Sequence, residues 1–81
     1  MKLAFSPHFV RSYNKAPLHI QKRFDKQSQL LLENLRHPSL RAKKYDESRG
    51  IWQARVDKDW RFYFTVEKDT YWMQAIIPHP K

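Results

Sequence analysis

Two runs of strict apolar and polar alternation, residues 51–57 and 60–66, face each other across the turn-forming residues Asp57, Lys58 and Asp59. In the first, Trp52, Ala54 and Val56 fall on one side and Gln53 and Arg55 on the other; in the second, Trp60, Phe62, Phe64 and Val66 oppose Arg61, Tyr63 and Thr65. A period of two marks half-buried strands, so the segment predicts a hairpin. The apolar sides meet when Val56 pairs with Trp60, Ala54 with Phe62 and Trp52 with Phe64, and that register also sets Arg55 opposite Arg61. Like charges directly opposite destabilise a sheet. A chain that keeps them there is equipped to meet a strongly anionic ligand, such as a phosphodiester.

The remaining elements follow from local signals. Residues 2–5 form a short strand candidate, and Ser6 then Pro7 reads as an N-cap followed by proline at the first helical position, predicting a helix over about 7–14. A second helix opens at Pro17, with Ile20, Phe24, Leu31 and Leu35 on its core face, and ends where His37 precedes Pro38. Residues 38–50 carry no period and read as a basic loop. A third strand over 71–77 is expected to turn Tyr71, Met73, Ala75 and Ile77 inward and Trp72, Gln74 and Ile76 outward. The order strand, two helices, three strands predicts an α+β fold, β-α-α-β-β-β, in which a small antiparallel sheet carries both helices on one face.

At 81 residues the chain is a single domain, residues 1–81, whose three tryptophans supply large buried area per side chain. The absence of cysteine removes disulfides and thiolate metal sites. Gly50 is the one glycine, which rules out a glycine-rich phosphate loop, and His8, His19 and His37 share no metal-ligand spacing. There is no apolar run long enough for a bilayer, so a soluble cytoplasmic protein with no membrane association is expected. Sixteen Lys and Arg against 8 Asp and Glu give a net charge of +8. Such a field favours polyanions, nucleic acid first.

The run from Leu40 to Thr70, above all Gly50-Ile51-Trp52, then Arg55, then Asp59-Trp60-Arg61 leading into Phe62-Tyr63-Phe64, with a histidine after the last strand, resembles the RelE/ParE superfamily of toxin–antitoxin toxins. The RelE-like branch implies a metal-independent and cofactor-free endoribonuclease that cuts mRNA on the ribosome and inhibits translation. A cognate antitoxin is implied as partner, in a hetero-oligomeric complex. By this resemblance Arg61 binds the scissile phosphate, Arg55 supports it, and His79 is the general acid. The base is open among Glu47, Asp46 and a lysine of the Lys43–Lys44 pair. Lys43, Lys44, Arg41 and Arg49 would line the RNA path. Members commonly carry an aromatic or polar residue beyond the histidine, where this sequence has only Pro80 and Lys81; Tyr63 or Trp72 could stack a base instead. Two competing readings stand beside this one: a ParE-like gyrase inhibitor without nuclease chemistry, and a catalytically silent RNA- or ribosome-binding domain.

Overall fold

The computed structural model describes residues 1–79; Pro80 and Lys81 lie outside the described residues. Strand β1 (Lys2–Phe5) leads into helices α1 (Pro7–Lys15) and α2 (Leu18–Glu33), then a single 3₁₀ turn (Pro38–Leu40), and strands β2 (Lys43–Asp46), β3 (Ile51–Arg55), β4 (Trp60–Glu67) and β5 (Thr70–Pro78). They form one five-stranded sheet in the order β1-β5-β4-β3-β2. The α+β class and both helices are as expected.

Ser6 starts α1 as predicted, its hydroxyl accepting from the Phe9 N–H at 3.0 Å with Pro7 next in line. The same residue stitches the helix to the sheet, because its N–H donates to Met73 O and its hydroxyl to Gln74 O. Helix α2 stops at Asn34, short of the expected His37. Asn34 adopts an extended backbone, and its side-chain oxygen accepts from the Arg36 N–H at 2.9 Å, a local turn that competes with further helix.

Three features of the sheet depart from expectation. β1 runs parallel to β5, so the sheet is mixed and not antiparallel throughout. The two helices carry the chain from β1 to the far edge at β2, leaving β1's flank open for the last strand. Residues 43–46, read as loop, form an edge strand paired with β3; its residues are charged and mostly exposed, so no alternation reports it. Finally, β5 contains a bulge: Tyr63 pairs with Ala75 but Phe64 pairs with Met73, leaving Gln74 as the extra residue. Everything after it changes sides. Ile76 is buried at 1% exposure and Ile77 lies 39% exposed, the reverse of the assignment that alternation gave.

The core lies between the helices and the inner sheet face. Phe24 of α2 is its hinge, 5.1 Å centroid to centroid from Phe9 of α1 and 5.1 Å edge-on to Phe62 of β4, which in turn stacks on Phe64 at 5.7 Å. Trp52 and Trp60 pack at the margin of this cluster, on the expected side of their strands but only partly buried. Because Phe24 joins both helices to the sheet, Phe24→Ala should destabilise the domain by about 3–5 kcal/mol, read as a lowered urea midpoint. A loss below about 1 kcal/mol would show that α2 is held by other contacts.

Candidate functional site

The hairpin pairs as its apolar face demands, with Arg55 directly opposite Arg61. Its connection is organised by Asp57, whose carboxylate accepts from the N–H groups of Asp59 and Trp60, each at 2.8 Å. That turn directs the Asp57 carbonyl toward both arginines. Arg61 Nη1 donates to it at 2.8 Å and to Trp60 O at 3.0 Å, while Arg55 Nε donates to it at 3.4 Å. A hydrogen bond from a charged group contributes about 1.5–3 kcal/mol, against about 1 kcal/mol or less for a cross-strand charge pair, so the carbonyl offsets the repulsion. These bonds engage Nη1 of Arg61. Its Nε–H and Nη2 edge remains the geometry that grips a phosphate with two parallel bonds.

The arginines line a cleft of about 310 Å³ together with Arg41, Lys43, Gln53, Ala54 and His79. Each is delivered by a different device. Arg41 closes the 3₁₀ turn in the left-handed conformation, at φ 46° and ψ 43°, with its N–H on Pro38 O. Lys43 sits on the edge strand opposite Gln53. His79 follows β5, its N–H donating to Asp59 O at 2.7 Å, so the turn that orients the arginines also anchors the histidine. Among the described residues, ion pairs form only between Lys2 and Asp69 and between Arg49 and Asp46, both outside the cleft. The cleft therefore gathers four cations without a neutralising carboxylate, which concentrates positive potential there.

Other residues singled out from the sequence lie elsewhere. Asp46 ends β2 and Glu47 and Arg49 lie in the turn that follows, separated from Arg55 by the length of β3, about 13 Å at 3.3 Å per residue. Asp46 is engaged locally, accepting from the Ser48 hydroxyl at 2.6 Å and pairing with Arg49 at 3.4 Å. The Ser48 bond holds its carboxyl below the usual range, which makes it a poorer base. Lys44 points to the opposite side of the sheet from Lys43, its ammonium 5.1 Å from the centre of the Trp52 ring. Trp72 is on the outer face beside Thr65, two rows along β4 from Arg61. Tyr63 is one row away, and its hydroxyl accepts from Gln53 Nε2 at 2.9 Å.

A second cleft, about 380 Å³, lies on the helical side between β1, α1 and α2, and is lined mostly by apolar groups such as Leu3, Phe5 and Phe9. Its polar lining is Asp25, Ser28, Gln29 and Tyr13, whose hydroxyl donates to Asp25 at 2.9 Å; burial, then the Asp25 contact, raises the Tyr13 pKa. No lysine or arginine lines it, and the Asp25 carboxylate disfavours an anion.

The residue that sequence reading passed over is Gln27, 1% exposed in the middle of α2. Its Nε2 donates to Arg55 O at 3.0 Å and to Ser39 O at 3.1 Å, joining the end of β3 to the turn that precedes Arg41. Arg23 adds a bond to Val56 O at 3.2 Å. The available signal was a polar residue on a helix face between Phe24 and Leu31.

No protein-family model matches the sequence, and no curated protein sequence matches it. Solved structures do. The YoeB/ParE toxin from Agrobacterium tumefaciens superposes with a TM-score of 0.79 at 12% identity, covering 99% of this chain and 100% of that one. The YoeB dimer from Staphylococcus aureus gives 0.81 at 15% identity, covering 99% and 98%. The RelE toxin in the RelB-RelE complex from Methanococcus jannaschii gives 0.74 at 23% identity, covering 93% and 88%. The chain has the RelE/ParE toxin fold. At these identities the likeness is one of architecture. Within the RelE/ParE fold of this chain, the cationic cleft sits where β3, β4 and the end of β5 converge.

Replacing Gln27 with leucine keeps the volume and strands two carbonyls. Gln27→Leu should lower stability by about 1–3 kcal/mol in urea denaturation. An unchanged midpoint would mean that these bonds contribute nothing to holding the cleft.

Proposed function

We propose that this protein is the toxin of a type II toxin–antitoxin system, an endoribonuclease that cuts ribosome-bound mRNA without a metal and is silenced by a cognate antitoxin. The observation that carries this reading is the Arg55–Arg61 pair, opposed in register and un-neutralised in a cleft that also holds Lys43 and His79. In the reaction the substrate's 2′-oxygen attacks the adjacent phosphorus and its proton passes to a base. The bond to the 5′-oxygen breaks, and that oxygen takes a proton, leaving a 2′,3′-cyclic phosphate and a free 5′-hydroxyl. Arg61, supported by Arg55, holds the non-bridging oxygens and stabilises the extra charge of the phosphorane. His79 donates the proton to the leaving oxygen.

For the base, the position of the residues favours Lys43 over the other candidates. Glu47 and Asp46 lie at the other end of the hairpin and Lys44 faces the other side of the sheet, whereas Lys43 lines the cleft. The antitoxin is supported by the names of several solved relatives, which are complexes: RelB-RelE, YoeB-YefM from Staphylococcus aureus, and DinJ-YafQ from E. coli. A partner segment rich in Asp and Glu would neutralise the cleft. No helix among the described residues is long and apolar enough to cross a membrane, and action on ribosomes would place the protein in the cytoplasm.

Mapping mRNA ends after induction tests substrate and chemistry together. Cuts at codon positions with cyclic phosphate ends are expected, along with a prompt fall in translation. Intact mRNA with DNA-damage signalling would replace this reading with gyrase inhibition, and no growth effect from a folded, RNA-binding protein would favour a silent domain.

Arg61→Ala should abolish cleavage in a protein that still folds, with stability lowered by about 1–3 kcal/mol, since the two backbone bonds it removes outweigh the one repulsion. Full toxicity of that variant would end the mechanism. His79→Gln should slow cleavage by about two orders of magnitude or more; an unchanged rate removes His79 from the reaction.

A further inference from the structure

Tyr45 is a large aromatic side chain that the chemistry above leaves unused, and it is 60% exposed. β2 steps out of register between Lys44 and Asp46, a bulge in which Tyr45 and Asp46 together face Ile51. The Tyr45 ring lies over the outer sheet face, its centre 5.0 Å from that of Tyr63 and its plane turned by 70°. Tyr63 is itself held in place, because its hydroxyl accepts from Gln53 Nε2 at 2.9 Å and Gln53 is only 7% exposed.

The rows of the sheet relate these rings to the cleft. Lys43, Gln53 and Tyr63 form one row across β2, β3 and β4; Arg55 and Arg61 form the next. Rows on one face are about 7 Å apart along a strand, within the reach of a single nucleotide from its phosphate to its base. Arg55 and Arg61 thus stand one row from Tyr63, on which the exposed Tyr45 ring packs, and such a neighbourhood of cations and an open aromatic suits single-stranded nucleic acid, with a phosphate on the first and a base on the second. Packing against Tyr63 accounts for the covered part of Tyr45, and not for the exposure of a residue that stays 60% open.

We infer that Tyr45, braced by Tyr63, is a stacking site for the base of a nucleotide adjoining the phosphate held by Arg55 and Arg61. The inference rests on reading the cleft as a phosphate site in single-stranded RNA, and it adds a base contact to that site. Stacking on an aromatic is tolerant of sequence, so this site supplies grip and orientation while leaving base choice to other contacts.

The test uses a short 2′-O-methyl oligoribonucleotide, which cannot be cut by 2′-attack, and the same backbone without bases, with binding followed by fluorescence anisotropy. Tyr45→Ala should bind the base-bearing strand about tenfold to a hundredfold more weakly than the unmodified protein, and the abasic strand equally well. Tyr45→Phe, which keeps the ring, should match the unmodified protein on both strands. Arg61→Ala should weaken both. If Tyr45→Ala binds the base-bearing strand normally while Arg61→Ala does not, the stacking site is overturned and the phosphate site stands. Equal losses on both strands would also overturn it, since the ring would then act by shaping the cleft. A Tyr45→Ala defect confined to antitoxin binding would reassign the ring to a protein contact and overturn it too. Failure of the unmodified protein to bind either strand would overturn the stacking site and the RNA reading together.

Discussion

Everything at the candidate site depends on the register of the β3–β4 hairpin. The inner face of that hairpin, Ala54 and Val56 against Phe62 and Phe64, is completely or almost completely buried. A slip of one residue would turn those side chains to solvent and bring Gln53, Arg55, Arg61 and Tyr63 into the core. Each buried aromatic or aliphatic side chain contributes about 1.5–3 kcal/mol, so the repulsion between two cations has no leverage on the pairing. The opposed arginines are a consequence of the core. The shared Asp57 carbonyl then makes the arrangement tolerable without using a carboxylate, which would have neutralised it.

The two faces of the sheet are consequently put to different uses. Helices α1 and α2 cover one face and build the aromatic core through Phe9, Phe24 and Phe62. The outer face has no helix over it, and its half-buried Arg55, Arg61 and Tyr63 are held by hydrogen bonds. The layers meet at Gln27, which reaches from the core side of α2 to the backbone of Arg55 and Ser39. A buried amide with its bonds made is a specific tie, and its position couples the integrity of the helical layer to the geometry of the cleft. That coupling is useful in a domain this small, where any loosening of the core would otherwise reach the site unopposed.

How much of this was legible in the sequence depends on whether the alternation is unbroken. From Trp52 to Phe64 it is, and the pairing of Arg55 with Arg61, the inner face and the turn at Asp57 could all be read from it, whereas Val66, expected on the inner side, lies 40% exposed. Gln74 breaks it in β5, and there the reading put Ile76 and Ile77 on the wrong faces. An inserted residue leaves no trace in composition; it is visible only against the partner strand. β2 was illegible for a different reason, since an edge strand of lysines, tyrosine and aspartate has no buried side to announce it. The early end of α2 follows from a single Asn34 side chain. At the site, Lys43 and Lys44 look equivalent in sequence, but a strand separates them to opposite faces, and only the fold tells them apart.

The cleft's charge and the tyrosines on the sheet face beside it differ in how they respond to salt, and this separates what each can contribute. Contacts between cations and phosphates draw their affinity from counterion release and weaken steeply as salt rises. Ring stacking is far less sensitive. A cleft built from cations alone would hold any polyanion, including an acidic protein segment, and would lose its grip on all of them together in salt. The neighbouring tyrosines give nucleic acid a contact that an acidic peptide lacking aromatic groups cannot copy. On the proposed function, charge would let RNA and an acidic antitoxin segment compete for one surface, and the paired tyrosines would give the site a physical basis for distinguishing them.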